Sequence, residues 1–152
     1  MISQGALKKA IAGRKLLIDS NIIIYLTDSV QPYAPLAQLL FSAIENGDTE
    51  GVVSVLSIGE VMQGPIRQAQ YPIAFEVRDY LVNFPNCHCQ PITMEVIAKI
   101  GNDDHIDWSI LRTVDSLIIA SGLLNNVALF VSNDRHFRKA LPAEMLLTFE
   151  AG

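Results

Sequence analysis

Four acidic residues, Asp19, Glu60, Asp115 and Asp134, are spaced along the chain where the local pattern could bring them to one place. Asp19 closes the short apolar run Lys15-Leu16-Leu17-Ile18, and Asp134 follows Leu129-Phe130-Val131-Ser132-Asn133 in the same arrangement. Both are therefore expected at strand carboxyl ends, where open α/β sheets bind their ligands. Asp115 opens an apolar stretch over 114–123 that reads as a helix buried nearly all round. A carboxylate there gains from the helix dipole, yet an unpaired charge at a buried end is costly, and a bound cation would remove that cost. Glu60 lies on the helix expected after a strand over 52–54. An oxygen-only donor set of this kind suits a hard divalent cation.

Each of these residues also has a plain structural role open to it. Asp19 could cap the next helix, as could Ser20 or Asn21. Asp134 is a favourable charge in a first turn. Ser57-Ile58-Gly59-Glu60 fits a capping box, with Ser57 as cap and Glu60 reaching back to its amide. The shared topological position of Asp19 and Asp134 is what favours a site over four separate caps.

The elements that must position these groups alternate between short apolar runs and helical stretches. Strands are expected at 15–18, 52–54, 87–90, 128–131 and 146–148. Helices are expected at 3–12, 21–26, 35–45, 58–63 (stopped by Gly64-Pro65), 73–82, 93–100, 114–124 and 135–140. This order means βαβ crossovers and a short, mainly parallel sheet covered on both faces, an α/β class of fold.

Composition agrees with that class. At 152 residues the chain reads as one domain, and half its residues are hydrophobic. Mean hydropathy is +0.30, but no apolar run approaches the roughly 20 residues of a membrane span. The first fifteen residues carry charges where a secretory leader needs an unbroken apolar stretch, which predicts a cytoplasmic location and no membrane partner. The net charge of −5 argues against a broad basic surface gripping nucleic acid by charge alone. It does not exclude a nucleic-acid enzyme, because cations held by carboxylates present a positive centre to phosphate. The two cysteines, Cys87 and Cys89, flank His88. With no second Cys/His cluster to complete four ligands, they read as one face of a strand. Asp103, Asp104 and Asp107 read as a solvated loop, Trp108 as partly buried, and Met62 and Met94 as core or interface filler.

Four segments together resemble the PIN-domain nucleases: Asp19-Ser20-Asn21-Ile22, Ser57-Ile58-Gly59-Glu60-Val61, Leu111-Arg112-Thr113-Val114-Asp115-Ser116-Leu117-Ile118-Ile119-Ala120, and Ser132-Asn133-Asp134-Arg135-His136-Phe137. The likeness is greatest to small prokaryotic members, including the toxin subunit of VapBC toxin–antitoxin pairs. It spans residues 15–148, with Asp-Ser-Leu-Ile-Ile-Ala and Ser-Asn-Asp its most specific parts. The chain departs from many such toxins in carrying an extension, 1–14, before the first strand, and in being acidic over 101–107.

The resemblance implies a PIN-like three-layer α/β/α domain over 15–152, preceded by an extension that forms a short helix. It implies hydrolysis of RNA phosphodiester bonds with Mg²⁺ or Mn²⁺. Asp19 and Asp115 would then be direct metal ligands, with Glu60 and Asp134 completing the site directly or through water. Asn21, Ser132 and Asn133 would hold a ligand or phosphate by hydrogen bond. Arg112 and Arg135, with Lys139, would be phosphate contacts, although a solvated face explains each as simply. Expected partners are RNA, an antitoxin protein and a second copy of the chain, the last through apolar helical surface at 34–42 and 71–81. Two other readings compete. A PIN-fold module could bind RNA or protein without cutting, although all four acidic positions are filled. A haloacid dehalogenase-type phosphotransferase would need an Asp where Asn21 stands.

Overall fold

The computed structural model describes residues 1–150. Five short strands, β1 (Lys15–Ile18), β2 (Glu50–Ser54), β3 (Cys87–Gln90), β4 (Leu129–Val131) and β5 (Leu146–Leu147), form one sheet in the order β3-β2-β1-β4-β5. Every neighbouring pair is parallel. The helices are α1 (Gln4–Ile11), α2 (Ser20–Thr27), α3 (Ala34–Glu45), α4 (Val55–Arg67), α5 (Tyr71–Val82), α6 (Met94–Lys99), α7 (Thr113–Leu124) and α8 (Arg135–Ala140).

Strand alternation divides the core in two. Leu16 and Ile18 of β1 face a cluster built from α1 to α5, while Leu17 between them faces one containing Ile118, Ile119, Phe130 and Phe137. The result is a three-layer α/β/α fold, with helices covering both faces of a wholly parallel sheet. Gly122 of α7 lies directly over Phe130. A Cβ there would meet the Phe130 ring at 2.4 Å, so only glycine lets α7 settle this closely on the sheet. Leu7 and Ile11 of α1 are fully buried in the first cluster, so the amino-terminal helix is built into that core.

Several expectations change in whole or in part. Helix α4 starts three residues earlier than its apolar pattern suggests, straight after β2, and runs through Pro65 to Arg67. Proline in the last turn removes a single backbone bond near a helix end, and packing of Ile58 and Val61 outweighs it. The cap of α4 is Ser54, whose Oγ accepts from the Leu56 amide at 3.2 Å. Ser57 is not a cap, and its buried Oγ makes no hydrogen bond among the described residues. Met94 is 79% exposed and fills no core, while Met62 does pack against the first cluster. Finally, α3 buries Leu36, Leu40 and Phe41, so it offers little uncovered apolar surface. The apolar residues of α5 behave differently: Tyr71, Ile73, Phe75, Tyr80 and Val82 stay exposed.

The expectations for the cysteines and Trp108 hold. Cys87 and Cys89 both pack against the first cluster, and burial pushes the Cys87 thiol up to about 12. Trp108 packs on the second cluster while its indole N–H donates to the Asp103 carbonyl at 3.1 Å. No helix among the described residues is long and apolar enough to cross a membrane.

Candidate active site

The parallel register builds the site. Ile18 of β1 pairs with Val131 of β4, and the Asp19 amide donates to the Val131 carbonyl at 3.0 Å. The residues just beyond both strands, Asp19 and Ser132, are thereby set side by side. Asp19 turns out of β1 and caps α2, its Oδ1 accepting from the Ser20 amide at 2.8 Å. Its Oδ2 accepts from Ser132 Oγ at 2.7 Å and from Asn21 Nδ2 at 3.1 Å.

Asp134 likewise caps α8, its Oδ1 accepting from the His136 amide at 2.6 Å and lying 3.2 Å from His136 Nδ1. Asp115 stands in the first turn of α7 and is 5% exposed. Glu60 is the sixth residue of α4, one and a half turns from the true cap, so its carboxylate is not consumed by capping. Helix α4 carries it instead toward Ser20 and the other acids.

The four carboxylates share one electrostatic neighbourhood. Burial raises the Asp19 pKa from 3.8 to about 6, against the lowering effect of its hydrogen bonds, and the charges of Glu60 and Asp134 raise it further. Glu60 is also raised, first by desolvation and then by Asp115 and Asp134, with Ser20 and Arg112 acting the other way. Arg112 Nε sits 3.3 Å from Asp115 Oδ2. All four sequence-derived acids are thus brought together at the carboxyl end of the sheet.

The expected substrate contacts divide. Arg112 and Arg135 are exposed beside the acids. Ser132 is fully buried; besides donating to Asp19, its Oγ accepts from the Asp134 amide at 3.0 Å and from Asn21 Nδ2 at 3.2 Å. The Asn21 carbonyl oxygen accepts from the Asn133 amide at 3.1 Å. Asn133 Nδ2 donates to Tyr25 OH, and its Oδ1 accepts from the Phe149 amide at 2.7 Å. The Ser132 and Asn21 side chains brace Asp19, and Asn133 supports Asn21 through its backbone amide. Three supporting residues carried no clear sequence signal: Tyr25, whose hydroxyl holds Asn133; His136, against Asp134; and Phe149, whose amide closes the network from the far end of the chain.

The match to known families now decides the relationship, since the PIN domain family model aligns with residues 16–140. The chain belongs to the PIN domain family. No curated protein matches it by sequence. Several solved structures share its fold. VapBC2 from Rickettsia felis, bound to a DNA fragment from their promoter, is 14% identical, with a TM-score of 0.63 over 90% of this chain and 99% of that one. A toxin–antitoxin complex from Klebsiella pneumoniae is 17% identical, with a TM-score of 0.60 over 88% and 96%. Mycobacterium tuberculosis VapC20, described as a Sarcin-Ricin loop cleaving toxin, is 12% identical, with a TM-score of 0.60 over 82% and 93%. This PIN domain therefore has the full extent of the fold seen in those complexes.

The fit to a metal rests on donor chemistry. Among the described residues, no three acidic, histidine or cysteine side chains converge closely enough to enclose a bare ion. A dispersed all-carboxylate set suits a hydrated cation such as Mg²⁺, which keeps several waters and takes few direct protein ligands. Burial of the Asp19 and Glu60 carboxylates, with a smaller addition from repulsion among the acids, is the cost that such a cation would offset.

Proposed function

We propose that this PIN domain is a divalent-metal-dependent endoribonuclease hydrolysing RNA phosphodiester bonds, acting in the cytoplasm as the toxin of a toxin–antitoxin pair. The observation that carries the reading is the coupling of Asp19, Glu60, Asp115 and Asp134 at the carboxyl end of the parallel sheet. The relatives named above support it, being toxin–antitoxin complexes or a toxin described as cleaving the Sarcin-Ricin loop.

In this reading Asp19 and Asp115 hold Mg²⁺ or Mn²⁺ directly, and Glu60 and Asp134 complete the site directly or through water. When bound, the cation supplies an acidified water and neutralises charge developing on the phosphate. The chain's own work is preorganisation. Ser132 and Asn21 donate to one oxygen of Asp19 and the Ser20 amide to the other, fixing the carboxylate plane. Ser132 also holds the Asp134 backbone, so one buried hydroxyl ties two strand-end acids together. Arg112 and Arg135 stand where they can take phosphate charge at the rim. A partner bearing basic or aromatic groups would block this acidic site, which is how an antitoxin would restrain it.

Incubation of the purified chain with total RNA, with and without Mg²⁺, tests the reading. Cleavage should require the cation, and Asp115→Asn should lower it by more than the roughly 10- to 100-fold typical of groups outside the metal's direct ligands. Undiminished cleavage by the folded variant, or cleavage indifferent to chelator, would leave a PIN-fold binding module as the better reading.

A further inference from the structure

Arg112 stands at the solvent side of the acidic site, its side chain 73% exposed while its partner Asp115 is almost fully buried. It occupies the cap position of α7 yet makes no capping hydrogen bond, so its side chain is engaged at the helix end only by its pair with Asp115. The guanidinium meets Asp115 Oδ2 through Nε, at 3.3 Å. That is one of its five N–H donors, and the four on the terminal nitrogens make no hydrogen bond among the described residues. Asp134 and Glu60 also attract it electrostatically.

We propose that Arg112 is an exchangeable counter-charge: it neutralises Asp115 when no cation is present, competes with the cation for the site, and turns its terminal N–H groups to an RNA phosphate once the cation is bound. The proposal rests on the nuclease reading above. Its physical basis is that the same carboxylates attract both positive groups. Entry of a divalent cation replaces the field that holds Arg112 with one that repels it. An exposed side chain follows such a change at little cost, and the nearest incoming anion is then the phosphate of RNA. Arginine suits this exchange because its planar fork can serve two oxygen partners, whereas a lysine ammonium acts as one point charge.

The experiment uses the whole chain and two variants, Arg112→Gln and Arg112→Lys. Mg²⁺ is titrated in the absence of RNA by calorimetry and by melting temperature, and KM and kcat for RNA are then measured over a range of salt. Arg112→Gln should bind Mg²⁺ about two- to five-fold more tightly, the worth of a part-exposed ion pair. It should also raise KM about ten-fold with a smaller change in kcat, and flatten the dependence of log KM on log salt by about 0.7, the contribution of one phosphate contact to a single strand. Arg112→Lys should bind Mg²⁺ as the parent does while keeping most of the KM defect. Unchanged or weaker Mg²⁺ binding by Arg112→Gln would overturn the proposal while leaving the nuclease reading in place, as would full recovery of KM by lysine. Failure of the parent chain to bind Mg²⁺ or Mn²⁺ at all would remove both.

Discussion

Asp19 is held by three donors in a place where water scarcely reaches, and its carboxyl still titrates near pH 6 rather than 3.8. Desolvation therefore outweighs hydrogen bonding at this residue. Because the folded value lies above the unfolded one, the folded chain keeps a proton between those pH values that the unfolded chain has released. The contribution of Asp19 to stability thus falls as pH rises from about 4 to about 6, by up to on the order of 3 kcal/mol for a shift of about two units. In the metal-free protein, the stability of the parent relative to Asp19→Asn should decline across that window and level off above it. Denaturant unfolding of both proteins over the range gives the comparison; a difference that stays flat would mean that Asp19 ionises without penalty. Mg²⁺ should raise the melting temperature more at about pH 7 than at about pH 5, because proton and cation compete for the same oxygens. Asp19 and Asp134 were legible in the sequence because a charged residue after an apolar strand marks the ligand end of a parallel sheet. The bracing role of Asn133 was not, because its amide partner at Phe149 comes from a segment whose position depends on the finished fold.

Helix α4 shows how a local signal can be right about a residue and wrong about its task. Ser57 and Glu60 carry the spacing of a capping box, yet the helix begins at Val55 under Ser54. The pattern misled because a cap depends on where the chain leaves β2, and β2 runs to Ser54 through its pairing with β1 and β3. Freed from capping, Glu60 faces the other acids. Ser54→Ala should cost about 1 kcal/mol of stability. Ser57→Ala should cost nothing, since its buried hydroxyl has no partner to lose. Glu60→Gln should leave melting within about 0.5 kcal/mol of the parent while abolishing most RNA cleavage. Thermal unfolding of the three variants, with cleavage assays on the last, separates the roles; a large stability loss in Ser57→Ala would return the cap to Ser57. Elsewhere the element pattern was legible: β1, β2 and β4 lie at short apolar runs, because strands covered on both faces read as such runs, while β3, Cys-His-Cys-Gln at the sheet edge, was read from its alternation.

At the scale of the molecule, the acids gather at one end of the sheet while uncovered apolar surface is concentrated on α5. Tyr71, Ile73, Phe75, Tyr80 and Val82 are each about half exposed, and Arg78 lies 5.1 Å from the centre of the Phe75 ring. The sequence suggested two such surfaces, but α3 turned its leucines and Phe41 inward because it packs against both α1 and α2. Composition could not distinguish the two helices, since both are rich in apolar residues and only their neighbours in space decide which face is covered. By helical spacing Tyr71, Phe75 and Val82 share one flank of α5 and Ile73 and Tyr80 the other, and a contiguous exposed apolar patch such as the first marks a protein–protein surface. We therefore propose that the homodimer expected from the sequence forms through α5, leaving the acidic end open to RNA. The parent chain should scatter light as a dimer at micromolar concentration. Phe75→Glu, which places a charge in that surface on every copy, should give a folded monomer that lacks the concentration-dependent stabilisation of the dimer. Its effect on dimerisation should be about ten-fold or more in Kd, the loss expected when a central aromatic anchor is replaced. If the parent is monomeric across the whole concentration range, the apolar face of α5 is left for a different protein, and the antitoxin becomes the partner to test on it.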